Sequence, residues 1–212
     1  MKTSTKRINP YVIGRPIYKP ELFFGRKSLF QFVEDNLIQE SQVILLHGQR
    51  RIGKSSVIAQ IPNFVGDGQF AFVSFYLQDK NALSLGKILH LLAEEIIESL
   101  ELPPDRIKLP SVAELENKTE IFSEEFLPLV ERELEAKSLV LLLDEFDALS
   151  NYNPNSADEH FFPYLQFLIN KHPRLFIIPV VGRRVEDMPR LLSLFKIGRA
   201  HVWTPVTLES RM

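Results

Sequence analysis

The chain has 212 residues, 45% of them hydrophobic, which is enough to bury a core and is most simply read as one domain. The absence of cysteine excludes disulfide frameworks, thiolate metal sites and cysteine nucleophiles, so any metal chemistry must use oxygen ligands. The net charge of −2 hides an asymmetry: residues 1–60 carry ten Lys/Arg against four Asp/Glu, and residues 61–212 carry fifteen against twenty-three. That distribution suits a small polyanion held near the N-terminal portion, argues against a large nonspecific nucleic-acid footprint, and leaves room only for a small DNA-facing patch. No apolar h-region follows the basic start, and no run approaches the ~18 apolar residues of a membrane span. The expectation is a soluble, cytoplasmic protein with no membrane partner.

In chain order, Leu29, Phe32, Val33 and Leu37 recur at helical spacing, predicting a first helix that begins near Ser28 and ends before Val43. Val43 to Leu46 is short and wholly apolar, as expected for a strand buried on both faces of a parallel sheet. A helix from about Lys54 to Ile61 follows, with Pro62 near its end, and Gly66 and Gly68 turn the chain into a second strand, Phe70 to Leu77. Ser84 is placed to cap a long amphipathic helix carrying Leu85, Ile88, Leu89, Leu92, Ile96, Ile97 and Leu100, which Pro103 and Pro104 end. Another helix is predicted over about Thr119 to Ala136, kinked or split by Pro128. Its acidic residues read as a solvated face, because apolar residues interleave them at helical spacing. Leu139 to Leu143 is a third strand, Ser156 to Lys171 a helix and Leu175 to Val181 a fourth strand. Strands alternating with helices specify an α/β fold with a parallel sheet.

Two segments carry chemistry. Gly48-Gln49-Arg50-Arg51-Ile52-Gly53-Lys54-Ser55, followed by Ser56, fits the G-x-x-x-x-G-K-[ST] phosphate-binding loop and stands directly after the first strand. In such a loop the backbone N–H groups and the N-terminus of the following helix face the phosphates of a nucleoside triphosphate, Lys54 reaches the β- and γ-phosphates and Ser55 meets a magnesium ion. Arg50 and Arg51, although inside this nucleotide-binding segment, read as loop-surface or interface residues. The second segment is Leu141-Leu142-Leu143-Asp144-Glu145-Phe146-Asp147, where carboxylates emerge at the end of an apolar strand. Beside a phosphate loop, Asp144 suits magnesium and Glu145 suits the orientation and deprotonation of an attacking water. Read alone, the same acids are only the polar end of a strand. His47 reads as a strand-end residue, and His90, His160 and His172 lack a metal-binding spacing.

With Asn9-Pro10-Tyr11 and Phe23-Phe24-Gly25-Arg26 added to these segments, residues 9 to about 196 resemble the AAA+-related P-loop ATPases, and specifically the STAND and archaeal-type ATPase group. The resemblance implies a three-layer P-loop NTPase fold with sheet order 5-1-4-3-2. It implies an N-terminal segment, residues 1–27, whose turn at Phe24, Gly25 and Arg26 contacts adenine, and an ATPase core over residues 28–196. It also implies a sensor after the fourth strand, for which Arg183 is the candidate, with Arg184 beside it as surface charge. Expected cofactors are ATP and Mg2+.

The ending Ile197-Gly198-Arg199-Ala200-His201-Val202-Trp203-Thr204-Pro205-Val206-Thr207 is what a widely used sequencing adapter encodes when TGA is read as tryptophan. Residues 197–212 are therefore expected to be a non-native tail, with the core incomplete after Lys196 and its fifth strand missing or replaced; the alternative is a native strand at Ala200 to Trp203. A missing strand would leave the first strand at an exposed edge.

The leading functional expectation is an ATP-binding, slowly hydrolysing regulatory switch that associates with itself or a partner protein through domains beyond Lys196. The alternatives are a DNA-associated AAA+ ATPase, loading or remodelling a nucleoprotein complex, and a nucleotide-binding scaffold without turnover.

Overall fold

The computed structural model describes residues 16–49, 52–66, 68–149, 158–182 and 201–203. The described elements are helix α1 (Lys27–Ile38), strand β1 (Ile44–His47), α2 (Lys54–Phe64), β2 (Phe70–Tyr76), α3 (Leu85–Ser99), α4 (Val112–Asn117), α5 (Leu127–Glu133), β3 (Ser138–Asp144), α6 (Asp158–Lys171), β4 (Leu175–Val181) and β5 (His201–Trp203). The five strands form one parallel sheet in the order β2-β3-β4-β1-β5. Read from its other edge, this is the 5-1-4-3-2 order of a P-loop NTPase sheet.

The strands are apolar on both faces because both faces are covered. Along β3, Leu139, Leu141 and Leu143 join the core that also holds Leu89, Leu92, Phe126, Val130, Phe161 and Leu165, from α3, α5, α6 and the turn before α5. The alternating Val140 and Leu142 join the opposite core with Leu29, Val33 and Leu37 of α1 and Val57, Ile58 and Ile61 of α2. Period-2 alternation of a continuous apolar run thus feeds two cores, and the result is three layers, helix–sheet–helix. Each fully buried leucine or valine contributes about 1.5–3 kcal/mol over its exposed state.

Local chemistry sets the element ends. Ser84 accepts a hydrogen bond from the Lys87 amide at 3.2 Å and starts α3 as its sequence position predicts. The expected break at Pro128 takes the form of a π-helical turn, Phe122–Phe126, running into α5, since proline cannot donate to the preceding turn. Helix α2 runs past its exposed Pro62 to Phe64, further than the sequence reading placed it; one lost backbone bond at an exposed position is tolerated. Helix α4 was not expected at all. It begins with a reciprocal capping box in which Ser111 Oγ accepts from the Glu114 amide at 3.3 Å and Glu114 Oε2 accepts from the Ser111 amide at 2.7 Å.

At the sheet edge where β1 and β4 begin, Gln42 ties these strands to α6. Its Nε2 lies 3.1 Å from the Ile169 carbonyl oxygen and 3.0 Å from those of both His172 and Leu175, while its own carbonyl accepts from the Ile177 amide at 2.7 Å. Nearby, buried His172 pairs through Nδ1 with Glu131 Oε1 at 2.9 Å.

The fifth-strand position beside β1 is filled by residues of the segment expected to be a non-native tail. His201–Trp203 pairs in parallel with β1, Ile44 opposite His201, Leu45 opposite Val202 and Leu46 opposite Trp203. A three-residue extended segment is sufficient, because the ladder uses main-chain groups and not side-chain identity. The rest of the suspected tail, residues 197–200 and 204–212, lies outside the described residues.

Candidate functional site

Both chemical segments emerge at the carboxyl edge of the sheet, where parallel strands deliver their ligands. The phosphate loop leaves β1 at His47, and the Gly48 amide donates to the Val181 carbonyl at 3.2 Å, so the loop starts pinned to the end of β4. Gly53 has φ +92 and supplies the left-handed step into α2, a conformation that a side chain would strain. Helix α2 then begins at Lys54, whose Nζ donates back across the loop to the Gln49 carbonyl at 3.2 Å. The ammonium is therefore tied back to the loop, with Ser55 one residue on, in the first turn of α2. Arg50 and Arg51 lie outside the described residues.

On the far side of β4, strand β3 ends at Asp144, which is 9% exposed, and Asp144 Oδ1 accepts the Glu145 amide at 2.9 Å. Glu145 itself has φ +50 and ψ +41, an uncommon conformation for a residue with a side chain. The left-handed step takes the chain off the strand line, so the two acids do not alternate across the sheet as strand neighbours would. A short 3-10 turn, Phe146–Ala148, follows, and it is anchored by Phe146, whose ring stacks on Phe162 of α6 at 4.7 Å. Tyr76 pairs in register with Asp144 from β2. Its phenol is pushed above its ordinary value by burial first, and then by the charges of Glu145, Asp144 and Asp79, which registers the negative field at this edge.

Between α1, α2 and the end of β1 lies an open concavity lined by Arg26, Leu29, Leu46, His47, Ile52, Lys54, Val57 and Val180. Its wall is almost wholly apolar except for the cations at its rim. Of the three residues expected around adenine, Arg26 lines this concavity, while Phe24 is 76% exposed and Gly25 is not among the lining residues. Arg26 is left-handed (φ +63) after Gly25 (φ +84), and its guanidinium donates to the Ile52 carbonyl inside the phosphate loop at 3.3 Å. His47, read from sequence as only a strand-end residue, forms part of this wall.

Ser56, the last residue of the expected phosphate-binding segment, also makes a long-range bond. Its hydroxyl accepts the Ile17 amide at 3.0 Å, so it is engaged with the segment before α1. Arg183 and Arg184 lie outside the described residues, as do Asn9, Pro10 and Tyr11. Among the described residues no group of three His, Cys, Asp or Glu converges to hold a metal, and no helix is long and apolar enough to cross a membrane.

The profile of a family described as "AAA domain" matches residues 37–186. A search of the curated proteins finds no match. Among solved structures, the Walker-type ATPase PABY2304 of Pyrococcus abyssi is similar at 19% identity and a TM-score of 0.58, over 86% of this chain and 51% of that one. Drosophila ORC bound to poly(dA/dT) DNA and Cdc6 is similar at 13% identity and a TM-score of 0.53, over 83% of this chain and 28% of that one. The Aeropyrum pernix ORC1 protein in complex with DNA matches at 12% identity and a TM-score of 0.47, over 89% and 47% of the two chains. The chain thus spans about half the length of the Walker-type ATPase, and at these identities the likeness is one of fold.

Proposed function

Because the chain belongs to the AAA domain family, we propose that it is the ATP-binding and magnesium-dependent ATP-hydrolysing domain of a STAND-type regulatory switch. The observation that carries the reading is the meeting, at one sheet edge, of the phosphate loop after β1 with the Asp144–Glu145 pair after β3, only β4 lying between them. Gly48 to Ser56 form the phosphate-binding segment, with Lys54 as the point charge toward the β- and γ-phosphates. Ser55 and Asp144 are hard oxygen donors of the kind Mg2+ takes, and this ion needs few protein ligands because phosphate and water complete its shell. When bound, the ion neutralises phosphate charge. Glu145 takes a proton from the water that attacks the γ-phosphate, and ADP and phosphate leave.

Arg26 borders the base, with Phe24 and Gly25 completing the turn that enters α1, and Arg183, two positions after β4 in sequence, senses the γ-phosphate. The switch acts on a second copy or on a partner protein.

Turnover of ATP by the full chain, with and without Mg2+ and beside the Glu145→Gln variant, tests the reading. Magnesium-dependent turnover lost in Glu145→Gln supports it, and nucleotide binding with no turnover above that variant sinks hydrolysis in favour of a scaffold. A second reading, a DNA-associated ATPase, draws on the fold shared with Drosophila ORC bound to DNA, while the near-neutral net charge weighs against it. Stimulation of turnover by duplex DNA selects it over the switch.

A further inference from the structure

The segment entering α1 is fastened to the nucleotide site at two points. At its start, the Ile17 peptide is gripped by α2 from both sides: its amide donates to Ser56 Oγ at 3.0 Å, and its carbonyl accepts from Gln60 Nε2 at 2.8 Å. At its end, Arg26 donates to the Ile52 carbonyl inside the phosphate loop at 3.3 Å and lines the concavity. Residues 17–26 therefore form a strap from the flank of α2 to the back of the phosphate loop.

Gln60 is the informative residue. It is 0% exposed, on a helix whose other buried side chains are largely apolar, and its amide is spent on the strap main chain. Its Oε1 accepts from Asn63 Nδ2 at 3.1 Å, which orients the amide with its donor side toward Ile17. A buried amide is costly unless paired, so the docked strap is what makes this glutamine tolerable in place of an apolar residue. Only main-chain atoms of Ile17 are held, which makes the grip indifferent to the strap's side chain and intolerant of proline.

We infer that Ser56 and Gln60 are positioning residues that hold the strap across α2, and that strap docking and nucleotide binding are coupled through Arg26 and Ile52. The inference rests on the nucleotide-site reading given above. Coupling of this kind is reciprocal: a bound nucleotide holds the strap down by the factor by which a docked strap tightens the nucleotide.

The experiment is amide hydrogen exchange at Ile17 in the full chain with and without ATPγS, alongside ATPγS titrations of the wild type, Gln60→Glu, Ile17→Pro and Ile17→Val. Gln60→Glu keeps the size and the Asn63 bond but turns an acceptor toward the Ile17 carbonyl. The expected result is a roughly 10-fold slowing of Ile17 exchange by ATPγS, a matching loss of affinity in Gln60→Glu and Ile17→Pro, and wild-type affinity in Ile17→Val. If the wild type binds ATPγS while Ile17 exchange is unchanged, or if Gln60→Glu and Ile17→Pro bind as the wild type does, the coupling is refuted and the nucleotide site stands. If the wild type fails to bind ATPγS, the nucleotide-site reading falls first and the coupling with it. The wild-type exchange measurement decides the matter even if a variant does not fold.

Discussion

Replacing Glu145 separates two properties that its backbone conformation joins. At φ +50 and ψ +41 the residue stands in the left-handed region, which costs a side-chain-bearing residue about 1–2 kcal/mol. Glutamine inherits that cost, whereas glycine escapes it and loses about 0.5–1 kcal/mol through its freer unfolded chain. Glu145→Gly is therefore expected to be more stable than Glu145→Gln by up to about 1.5 kcal/mol, a rise of up to roughly 6 °C in melting temperature for a domain of this size. Both variants are expected to lose turnover by about 10²–10⁴-fold, the span of a missing general base. Calorimetric melts of the three proteins, run beside a phosphate-release assay, measure both quantities. A Glu145→Gly protein that melts below Glu145→Gln would refute the claim of stored backbone strain, and undiminished turnover in Glu145→Gln would refute the role of the carboxylate.

Lys54→Ala is expected to weaken nucleotide binding ~100-fold, equivalent to about 3 kcal/mol for a charge-assisted contact, as read by titration calorimetry; unchanged affinity counts against the site. Gln42→Ala strips a shared donor from the carbonyls of Ile169, His172 and Leu175 and is expected to cost about 2–4 kcal/mol in urea unfolding, while Gln39→Ala at the exposed end of α1 stays within about 0.5 kcal/mol. Hydrogen bonding from Ser111, through its side chain first and its amide second, with Lys108 adding to it, pulls Glu114 down to about 2. A folded value below the unfolded one means that the capping box supports the fold above the usual carboxylate range and loses that support as pH falls from about 4.5 toward 2; a Glu114 carboxyl resonance titrating near 4.5 would contradict it. Deleting residues 197–212 removes β5 and leaves β1 unpaired on one side, so the shortened chain is expected to aggregate at high concentration, and a monomeric product with an unchanged sharp melt would show that β5 contributes nothing.

β3 and β4 were legible because each is a contiguous apolar run that meets a charged residue or a glycine at its end, and Leu175 to Val181 has the same limits in sequence and structure. The phosphate loop and the Asp144–Glu145 pair were legible because their chemistry demands fixed residue types at fixed spacing. What escaped was made by distance or by backbone geometry. Gln42 and Gln60 look like ordinary surface glutamines, and nothing local announces that their partners lie 127 and 43 residues away. The left-handed turn at Glu145 has no glycine or asparagine to mark it. Helix α4 did carry a signal, Ser111-x-x-Glu114, which was passed over because only two apolar residues, Val112 and Leu115, stand out within its six. At Phe23-Phe24 the sequence does not say which ring turns inward: Phe23 packs against Phe30 and Phe64, and Phe24 is exposed.

The sheet order also sets a timetable for biosynthesis. Strand β1 is made early, but its partners are β4 and β5, with Leu46 opposite Val180 and Trp203, so the strand that carries the phosphate loop leaves the ribosome long before anything exists to pair with it. Strands β2 and β3 can meet as soon as Asp144 is translated. The part of the molecule that is to hold a nucleotide is thus completed last, and during elongation the apolar run from Val43 to Leu46 is the stretch most in need of protection by a chaperone.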